Sequence, residues 1–470
     1  MVERLGRWSS GRGRLYVLLA ARLRTLIDEG ELPPGTPLPP DRALAAALAV
    51  GRGTVVAAYE LLRAEGRIVR RQGSGTRVAG VPGQARQEVT SAPVFLHLLE
   101  PKDDTIMLAC AAPTSPPPEM VEAYARTVSR LAAIKGDIGY HPLGHAALRE
   151  AVAEWYRRRG VPTEPGRILV TNGGQQALSL VARALVTPGD HVLVEAPTYP
   201  GALEAFREQA AVVRTLPVGL EGLRGAARER RPALAYVVAT HHNPTGAVLP
   251  ASARRRLAET AATARIPLVD DEVLAELGFP GEQAPPPLAA YSDQVISIGS
   301  LSKLVWGGLR VGWVRAPAPL IARLGRLRAT HDLGGDIPTQ LAVADLLPRL
   351  DAVRDRRAAE LRAAHDHLRA ELARHLPEWS APPVPGGQTL WVRLPHGDGG
   401  SFAQLAMRHG VAVLPGAGLD ASGGGRDHLR LHFTLSKPEL STAVARLAAA
   451  WRAYPASAPG PVLAPSALAI

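Results

Sequence analysis

The stretch Ile298-Gly-Ser-Leu-Ser-Lys-Leu-Val-Trp-Gly-Gly-Leu-Arg-Val-Gly-Trp313 decides how the longer part of the chain is interpreted. Its lysine, Lys303, follows a predicted apolar strand over Val295–Ile298 and two hydroxyl residues. An amine that reacts with a carbonyl carbon must lie in a pocket and be partly desolvated, so that it can lose its proton. The chain has only four lysines among 470 residues, and this one stands among apolar residues. The pattern therefore predicts a reactive amine.

Phosphate-binding groups are expected on both sides of this lysine. Ser300, Ser302 and Arg310 are hydrogen-bond donors close to it in sequence. Upstream, Thr171-Asn-Gly-Gly-Gln-Gln-Ala-Leu178 follows a predicted strand and opens a predicted helix. The free amides and the dipole at such a helix start can hold a phosphate.

Three more side chains are predicted at strand ends before Lys303. Tyr199, in Pro197-Thr-Tyr-Pro-Gly201, is placed to stack on a flat ring, and Asn243 is placed to bond a phenolic oxygen. Asp271 ends the strand Ile266-Pro-Leu-Val-Asp-Asp271, where its carboxylate would keep a pyridine nitrogen protonated and make the ring an electron sink. Each motif alone is common, but their order along the chain favours one shared site.

The pattern of strands and helices predicts the domain organisation. From residue 105 to 453, apolar runs such as His191-Val-Leu-Val-Glu195 alternate with long helical stretches. This alternation predicts an α/β domain with a mainly parallel sheet, completed by a smaller C-terminal α/β subdomain. Residues 80–104 lack periodicity and are interpreted as a linker, and residues 454–470, rich in proline and alanine, as a flexible tail.

The N-terminal part has a different pattern. Apolar residues at helical spacing predict a helix that begins near Leu15 and ends before Gly30. Two more helices are predicted over Asp41–Leu48, with Asp41 as the capping residue, and over Arg52–Ala64. The residues of the third helix expected to face the core are Val55, Val56, Tyr59 and Leu62. The last two helices with their glycine-containing turn form a helix-turn-helix, and residues 68–78 form a basic wing beside the minor groove.

Charge supports contact between this part of the chain and phosphate. The whole chain has a formal net charge of +11. Residues 1–80 hold 13 arginines and seven acidic residues, so about half of the excess, +6, lies in this short segment. A basic segment of this kind commonly binds nucleic acid, although an arginine-rich solvated surface would have the same composition.

Residues 12–79 resemble the GntR-type winged helix, through Leu32-Pro-Pro-Gly-Thr-Pro-Leu-Pro39, Gly51-Arg-Gly-Thr-Val55, Ala58-Tyr-Glu-Leu-Leu-Arg-Ala-Glu-Gly66 and Arg71-Gln-Gly-Ser-Gly-Thr76. The resemblance implies that phosphates, base edges and the minor groove are contacted by Arg42, Arg52, Thr54, Arg71, Gln72 and Gly73. The alternative for Arg42 and Arg52 is an ion pair with a neighbouring acid. The serines usual before the second and third helices are Pro40 and Gly51 here.

Residues 105–453 resemble the fold-type I, pyridoxal 5′-phosphate-dependent aminotransferases. The resemblance implies that Lys303 bonds the cofactor aldehyde, Asp271 pairs with the pyridine nitrogen and Asn243 contacts the ring hydroxyl. It places Tyr199 on the ring and assigns the phosphate to Gly174, Gln175, Ser300, Ser302 and Arg310. It further implies that Tyr140 reaches a phosphate across a dimer interface, and that Arg430 binds the α-carboxylate of an amino compound.

Two departures from that family pattern bear on catalysis. The tyrosine expected shortly after the aspartate is replaced by Val273 or Leu274, and a serine usual before Gln175 is Gly174. Both changes remove a polar contact to the cofactor. They favour a retained cofactor with relaxed demands on turnover.

Several other classes of protein are disfavoured. The single cysteine, Cys110, excludes a disulfide framework and a cysteine-built zinc site. Apolar runs are too short for a membrane span, so we expect a cytoplasmic protein with no membrane partner. The pair His241-His242 lacks accompanying metal ligands, so no metal is expected. Ser300-Leu-Ser-Lys303 matches a serine–lysine motif, but no Lys-Thr-Gly follows it.

The combination resembles the MocR subgroup of GntR regulators over almost the whole chain. The resemblance implies a head-to-tail homodimeric transcription factor that binds operator DNA and uses pyridoxal 5′-phosphate, or an amino compound that reacts with it, as effector. One alternative is a working aminotransferase with an accessory winged helix. Another is a DNA-binding protein whose cofactor pocket no longer functions.

Overall fold

The structure is a computed structural model that describes residues 1–9, 13–71, 75–79 and 104–454. The described residues of 1–79, which we call the head, contain four helices and a small sheet. These elements are α1 (Val2–Leu5), α2 (Leu15–Asp28), β1 (Pro37–Leu38), α3 (Asp41–Ala47), α4 (Arg52–Ala64), β2 (Ile68–Arg71) and β3 (Gly75–Val78).

The head packs around apolar side chains at helical spacing on α2 and α4. Leu19 and Leu23 of α2 are fully buried against Val55 and Leu62 of α4. The three predicted helices and the two-stranded wing are present, and β1 pairs with β3 to make a third strand, in the order β1-β3-β2. Val56 is only half-buried, because it lies at the margin of the apolar stripe.

One prediction about the head is wrong, and the predicted start of the head at residue 12 stays a prediction. Leu5 and Trp8, which precede that residue, are buried in the core of the head. Asp41 does not cap α3: extended Pro40 is the capping position, and Asp41 is the first helical residue. Its buried carboxylate instead lies 3.3 Å from a guanidinium nitrogen of Arg70.

Residues 104–454 form the larger part of the structure, in which strands and helices alternate. Its strands are β4 (Ile106–Met107), β5 (Ile168–Thr171), β6 (His191–Ala196), β7 (Val212–Pro217), β8 (Leu234–Val237), β9 (Leu268–Asp271), β10 (Ile296–Ser300), β11 (Gly312–Arg315), β12 (Thr389–Arg393), β13 (Val411–Ala412), β14 (Leu414–Pro415) and β15 (His428–His432). Its helices are α5 (Pro118–Ala132), α6 (Ala146–Arg158), α7 (Gly174–Leu185), α8 (Pro200–Glu208), α9 (Leu223–Glu229), α10 (Ala251–Ala264), α11 (Ala318–Ala329), α12 (Ile337–Leu346), α13 (Leu350–His375), α14 (Gly399–Arg408) and α15 (Lys437–Ala453).

The central sheet has seven strands in the order β5-β11-β10-β9-β8-β6-β7. All neighbouring strands are parallel except for β11, which runs antiparallel to both β10 and β5. Strands β5, β8 and β9 are buried along their whole length, which explains the mostly apolar sequences of β5 and β8, whereas β9 ends in the buried acids Asp270 and Asp271. The predicted mainly parallel sheet is confirmed, and its parallel strands end along one edge.

The predicted smaller C-terminal subdomain is also present. Its sheet has the antiparallel order β12-β15-β14, and α13, α14 and α15 accompany it in sequence. Strand β13 pairs in parallel with β4, which ties the start of this part of the chain to the subdomain. Tyr454, the first residue of the predicted tail, forms a hydrogen bond of 2.5 Å with Ser401. The predicted linker, apart from Asp104, and residues 455–470 lie outside the described residues.

No single helix among the described residues is long and apolar enough to cross a membrane. The pair α3 and α4, bent by 119°, meets the length and composition criteria only when taken together.

A close approach of two backbones positions the loop before α7. A Cβ atom added to Gly312 on β11 would lie 2.7 Å from the carbonyl carbon of Gly173 and 2.9 Å from the amide nitrogen of Gly174. Backbone atoms cannot yield as a flexible side chain does. Gly312 therefore allows β11 to hold the start of α7 in place.

Replacing Gly312 by alanine is expected to lower the free energy of unfolding by about 1–3 kcal/mol, since overpacking forces backbone shifts. Denaturant unfolding monitored by circular dichroism measures this. Gly225→Ala in α9 is the matched control, because its added Cβ would meet nothing within 4 Å among the described residues. Equal stability of the two variants would contradict the packing argument.

Candidate functional site

The predicted site residues meet at the carboxyl edge of the central sheet. Tyr199 follows β6, Asn243 follows β8, Asp271 ends β9 and Lys303 follows β10. In an open parallel sheet, the carboxyl ends of the strands form the crevice in which ligands bind. Residues separated by more than 100 positions therefore share one pocket.

The Lys303 amine lies in this pocket against a segment that precedes the sheet in sequence. Its Nζ donates a hydrogen bond of 2.7 Å to the carbonyl oxygen of Ala111. Burial lowers the pKa of Lys303; the neighbouring Cys110 opposes this shift, while Arg430 adds to it. The amine therefore loses its proton more readily than a solvent-exposed lysine, as a carbonyl-binding amine requires.

Asp271 is a buried carboxylate with two donors. Its Oδ1 accepts from the Val273 amide at 3.1 Å, and its Oδ2 accepts from the Tyr236 hydroxyl at 2.6 Å. Burial raises the pKa of Asp271, and these two hydrogen bonds oppose the increase. Sequence reasoning missed Tyr236, whose hydroxyl was hidden within the apolar strand β8. Its role is to orient the carboxylate and favour its charged form.

Tyr199 is held by groups on neighbouring elements. Its hydroxyl donates to Gln175 Oε1 at 3.1 Å, and Gln175 Nε2 donates to the Gly201 carbonyl at 2.9 Å. A Cβ atom at Gly201 would lie 2.5 Å from the Tyr199 ring, so only glycine fits there. Burial raises the pKa of Tyr199 to about 12, so its hydroxyl stays protonated at neutral pH.

The predicted phosphate corner, formed by residues around Gly174, Ser300 and Arg310, lies at the start of α7. Gly173, with a φ of 89°, is the capping residue, and α7 begins at Gly174 with its first amides unpaired by helix geometry. Arg310 donates to the Asn172 carbonyl at 2.6 Å, and its guanidinium would be 3.1 Å from a Cβ at Gly173. Ser300 Oγ lies 3.2 Å from Ser302 Oγ. The predicted phosphate-binding residues are thus close together.

The two departures from the family pattern have a structural counterpart. A Cβ atom at Gly174 would approach Val273 Cγ2 to 3.0 Å, so the missing side chain makes room for the valine. Leu274 is buried in the main apolar core. Neither Val273 nor Leu274 provides the hydroxyl that the aminotransferase pattern has shortly after the aspartate. The nearby Tyr236 hydroxyl is hydrogen-bonded to the Asp271 carboxylate.

Arg430 closes the pocket from the C-terminal subdomain. Its Nη1 donates to Asn243 Oδ1 at 3.1 Å, and its Nη2 donates to the Ala109 carbonyl. Arg430 Nε is buried without a hydrogen-bond partner among the described residues. Burial lowers the pKa of Arg430 to about 10, and the arginine stays charged at neutral pH. This cation suits an incoming carboxylate, and the donors around Lys303 suit a phosphorylated pyridine.

Tyr140 lies apart from this pocket within one chain. Its side chain is 62% exposed, in a loop where residues 135–140 are all exposed. Its predicted role at a phosphate stays a prediction. Among the described residues, no group of three or more His, Cys, Asp and Glu side chains could hold a metal ion.

The head presents a second candidate site, a groove between α3, α4 and the wing. It is lined by Leu38, Pro40, Asp41, Arg42, Arg52, Arg70, Gly75 and Thr76. Pro40 and Gly51, the capping residues of α3 and α4, provide no side-chain cap among the described residues. Helix geometry leaves the Arg52 and Gly53 amides without a partner inside α4, so they suit a phosphate, whereas the Thr54 amide donates to the Gly51 carbonyl at 2.9 Å.

Asp41 organises the arginines of this groove. Besides Arg70, it lies 3.7 Å from a guanidinium nitrogen of Arg52, whose side chain is 57% exposed. Arg52 therefore does form the ion pair with a neighbouring acid that was the alternative to DNA contact. Its guanidinium is nevertheless exposed enough to contact DNA. Sequence reasoning missed Arg70.

The remaining residues predicted to contact DNA are only partly described. Arg42 is exposed, and Thr54 is half-buried in the first turn of α4. The backbone of Arg71 ends β2, whereas Gln72 and Gly73 lie outside the described residues. The groove therefore contains Arg42 and Arg52 of the predicted set, with Arg70 added.

Two family models match the chain. Aminotransferase class I and II matches residues 107–447, and bacterial regulatory proteins of the gntR family match residues 15–78. The chain is 31% identical to the probable rhizopine catabolism regulatory protein MocR of Rhizobium meliloti, covering 77% of this chain and 78% of that protein. It is 30% identical to the pyridoxine biosynthesis regulator PdxR of Corynebacterium glutamicum, covering 78% and 81% respectively.

A solved structure is also similar. The α-aminoadipate aminotransferase LysN of Thermus thermophilus, complexed with N-(5′-phosphopyridoxyl)-L-leucine, superposes with a TM-score of 0.68 at 31% identity. The match covers 74% of this chain and 92% of that one.

Tyr236→Phe is expected to weaken the binding of added pyridoxal 5′-phosphate about tenfold at neutral pH, since hydrogen bonds to charged groups contribute about 1.5–3 kcal/mol. Without this donor the pKa of Asp271 rises further. Titration of the visible absorbance measures the affinity. Tyr156→Phe is the control, because Tyr156 makes a comparable buried bond of 2.9 Å, but to Glu272. An equal loss in both variants would point to general destabilisation.

Arg70→Ala is expected to weaken DNA binding on every sequence and to reduce the salt slope, log Kd against log[salt], by about 1. Fluorescence anisotropy at several salt concentrations measures both. Arg63→Ala changes the charge equally, but Arg63 pairs with Glu60 in the last turn of α4 and does not line the groove. A slope that Arg70→Ala leaves unchanged would exclude a phosphate contact.

Proposed function

The chain belongs to the aminotransferase class I and II family and carries an N-terminal gntR-family domain, and we propose that it is a transcription regulator sensing pyridoxal 5′-phosphate or an amino compound. The observation that supports this function is the presence of two separate sites on one chain. One is the pocket around the desolvated Lys303 amine, and the other is the arginine-lined groove of the head.

The pocket residues suit pyridoxal 5′-phosphate in charge and in hydrogen-bonding groups. Lys303 would hold the aldehyde carbon, Asp271 the pyridine nitrogen and Asn243 the ring hydroxyl. Tyr199 would lie against the ring, and Gly174, Gln175, Ser300, Ser302 and Arg310 would surround the phosphate. When bound, this cofactor supplies an electrophilic carbon and an electron-accepting ring.

The effector is proposed to be the cofactor itself or an amino compound that carries a carboxylate. Arg430 is the group that would bind the carboxylate, because it has a buried nitrogen without a hydrogen-bond partner among the described residues. Binding of an anion there would compete with the present bonds to Asn243 and Ala109. A ligand changes DNA affinity only through a difference in its own affinity for two arrangements of the protein.

The active form is proposed to be a head-to-tail homodimer. Of the eight large hydrophobic side chains described as exposed, five lie on α5 and two nearby loops: Val121, Val128, Ile138, Tyr140 and Leu333. The loops meet where a Cβ at Gly334 would lie 2.5 Å from the His141 carbonyl. A second copy covering this surface would remove apolar area from water and bring Tyr140 to a neighbouring phosphate corner.

Binding to operator DNA places the protein in the compartment that holds the chromosome, and we therefore propose a cytoplasmic location. The alternative function, amino-group transfer by a working enzyme, is supported by the Lys303, Asp271 and Arg430 set. The absence of a hydroxyl at Val273 and Leu274 disfavours it.

Selection of bound duplexes from random DNA, with and without pyridoxal 5′-phosphate, tests the proposal directly. We expect one enriched operator sequence, and a yellow protein in which borohydride attaches the cofactor to the peptide that contains Lys303. Lys303→Ala should abolish colour and labelling but retain DNA binding. Colourless wild-type protein would favour the DNA-binding protein with a non-functional pocket. Multiple turnover with an amino donor and a keto acceptor, without DNA affinity, would favour the enzyme.

A further inference from the structure

The head rests on α14 and β4 of the C-terminal subdomain through specific polar contacts. Arg408, at the end of α14, donates 3.0 Å and 2.5 Å hydrogen bonds to the carbonyl oxygens of Leu48 and Ala49. Leu48 is the C-terminal capping residue of α3, and Ala49, with a φ of 50°, lies in the turn before α4. The last carbonyls of a helix lack partners within it and attract a cation. Arg408 thus holds the turn of the helix-turn-helix.

Two further contacts involve the same surface. Trp8, buried in the head, donates 3.1 Å to Gln404 Oε1, one turn before Arg408 on α14. The Arg7 guanidinium contacts the sulfur of Met107 on β4. Ala49 also packs against the main apolar core of the larger part of the structure. We call Met107, Gln404 and Arg408 the docking face.

The docking face is continuous with the wall of the pocket. Just after α14, the Gly410 carbonyl accepts from the Ile106 amide at 2.9 Å, and the Leu108 amide donates 2.8 Å to the Ala412 carbonyl. The chain then runs from β4 directly to two residues that bind pocket cations. Ala109 accepts from Arg430, and Ala111 accepts from Lys303 at 2.7 Å. Only a few residues separate the sulfur that Arg7 contacts from the carbonyl that Lys303 binds.

We propose that the docking face transmits the state of the pocket to the head, with Arg408 as the positioning residue that holds the helix-turn-helix turn. This inference rests on the proposed function and specifies its regulation. A ligand that engages the Lys303 amine or the Arg430 guanidinium takes away the donor of Ala111 or Ala109. The segment 107–111 then finds a new position, and β4 and α14 move with it because backbone hydrogen bonds join them. The contact of Arg408 with Leu48 and Ala49 changes accordingly.

The test compares the Kd of the full-length protein for its selected duplex with and without pyridoxal 5′-phosphate. The ratio of the two Kd values in the wild type should differ from one by about fivefold or more, the usual range for coupled sites. Arg408→Ala should bring the ratio to within about twofold of one, since its two hydrogen bonds carry the coupling. The variant should keep the yellow colour and the ability to bind DNA. Arg408→Lys retains the charge but not the two-pronged hydrogen-bonding geometry. Its Kd ratio should lie between that of the wild type and that of Arg408→Ala.

The matched control is Arg452→Ala, which removes the same charge. Arg452 is exposed in the last turn of α15, two residues before Tyr454, whose hydroxyl contacts Ser401 near the opposite end of α14. Its ratio should equal that of the wild type. Gln404→Leu removes the hydrogen bond to Trp8 without a change in charge, and should also bring the Kd ratio closer to one. This second variant provides the test if Arg408→Ala does not fold.

The outcomes separate this inference from the proposed function. A wild-type ratio of one in a yellow, DNA-binding protein overturns the inference but leaves a regulator that binds both partners. A wild-type ratio retained in Arg408→Ala and Gln404→Leu overturns it as well. Loss of colour or of DNA binding in the wild type would instead defeat the proposed function. Hydrogen exchange at the Ile106 and Leu108 amides, faster in Arg408→Ala than in Arg452→Ala, would support the route through β4.

Discussion

The hydrogen bond between the Lys303 amine and the Ala111 carbonyl is the interaction on which the rest of this structure depends. It joins the end of a central strand to a segment nearly 200 residues earlier, so a desolvated amine and the backbone that covers it form one unit. The cationic form of this amine is disfavoured by burial and by nearby arginines. Burial of an amine costs free energy, and pKa values perturbed in this way cluster at functional sites.

Around that amine, two residues that depart from the aminotransferase pattern, Gly174 and Val273, lie in contact with each other. Gly174 lacks a side chain where Val273 approaches it, and Leu274 is buried in the main apolar core. The buried carboxylate of Asp271 and the hydrogen-bond donors near the start of α7 are present, whereas neither Val273 nor Leu274 carries a hydroxyl. This balance suits a site that must recognise a cofactor more than one that must process many substrates.

In the head, the buried carboxylate of Asp41 has a comparable organising role. It lies close to both Arg70 of the wing and Arg52 of α4, so the two elements share one anion. Each guanidinium can then reach a phosphate without first losing much conformational freedom. Arg408 restrains the turn at the far end of α3. The short helix is thus held at one end by the groove and at the other by the subdomain that carries Arg430.

The sequence by itself determined the two-part organisation, the parallel sheet and the residues at its carboxyl edge, because periodicity, strand-end motifs and a single lysine among apolar residues are local properties. The apolar runs predicted the strands, and Tyr199, Asn243, Asp271 and Lys303 come at or just after the ends of those strands. The carboxyl ends of parallel strands lie along one edge of a sheet. Only the tertiary structure decided which groups face one another across long separations. Tyr236 on Asp271, Arg70 on Asp41 and Arg408 on the turn at Leu48 could not be found from spacing, since each pairs residues from different elements. The role of Asp41 was mispredicted for the same reason: an acid after a proline takes its role from the surfaces that pack against it.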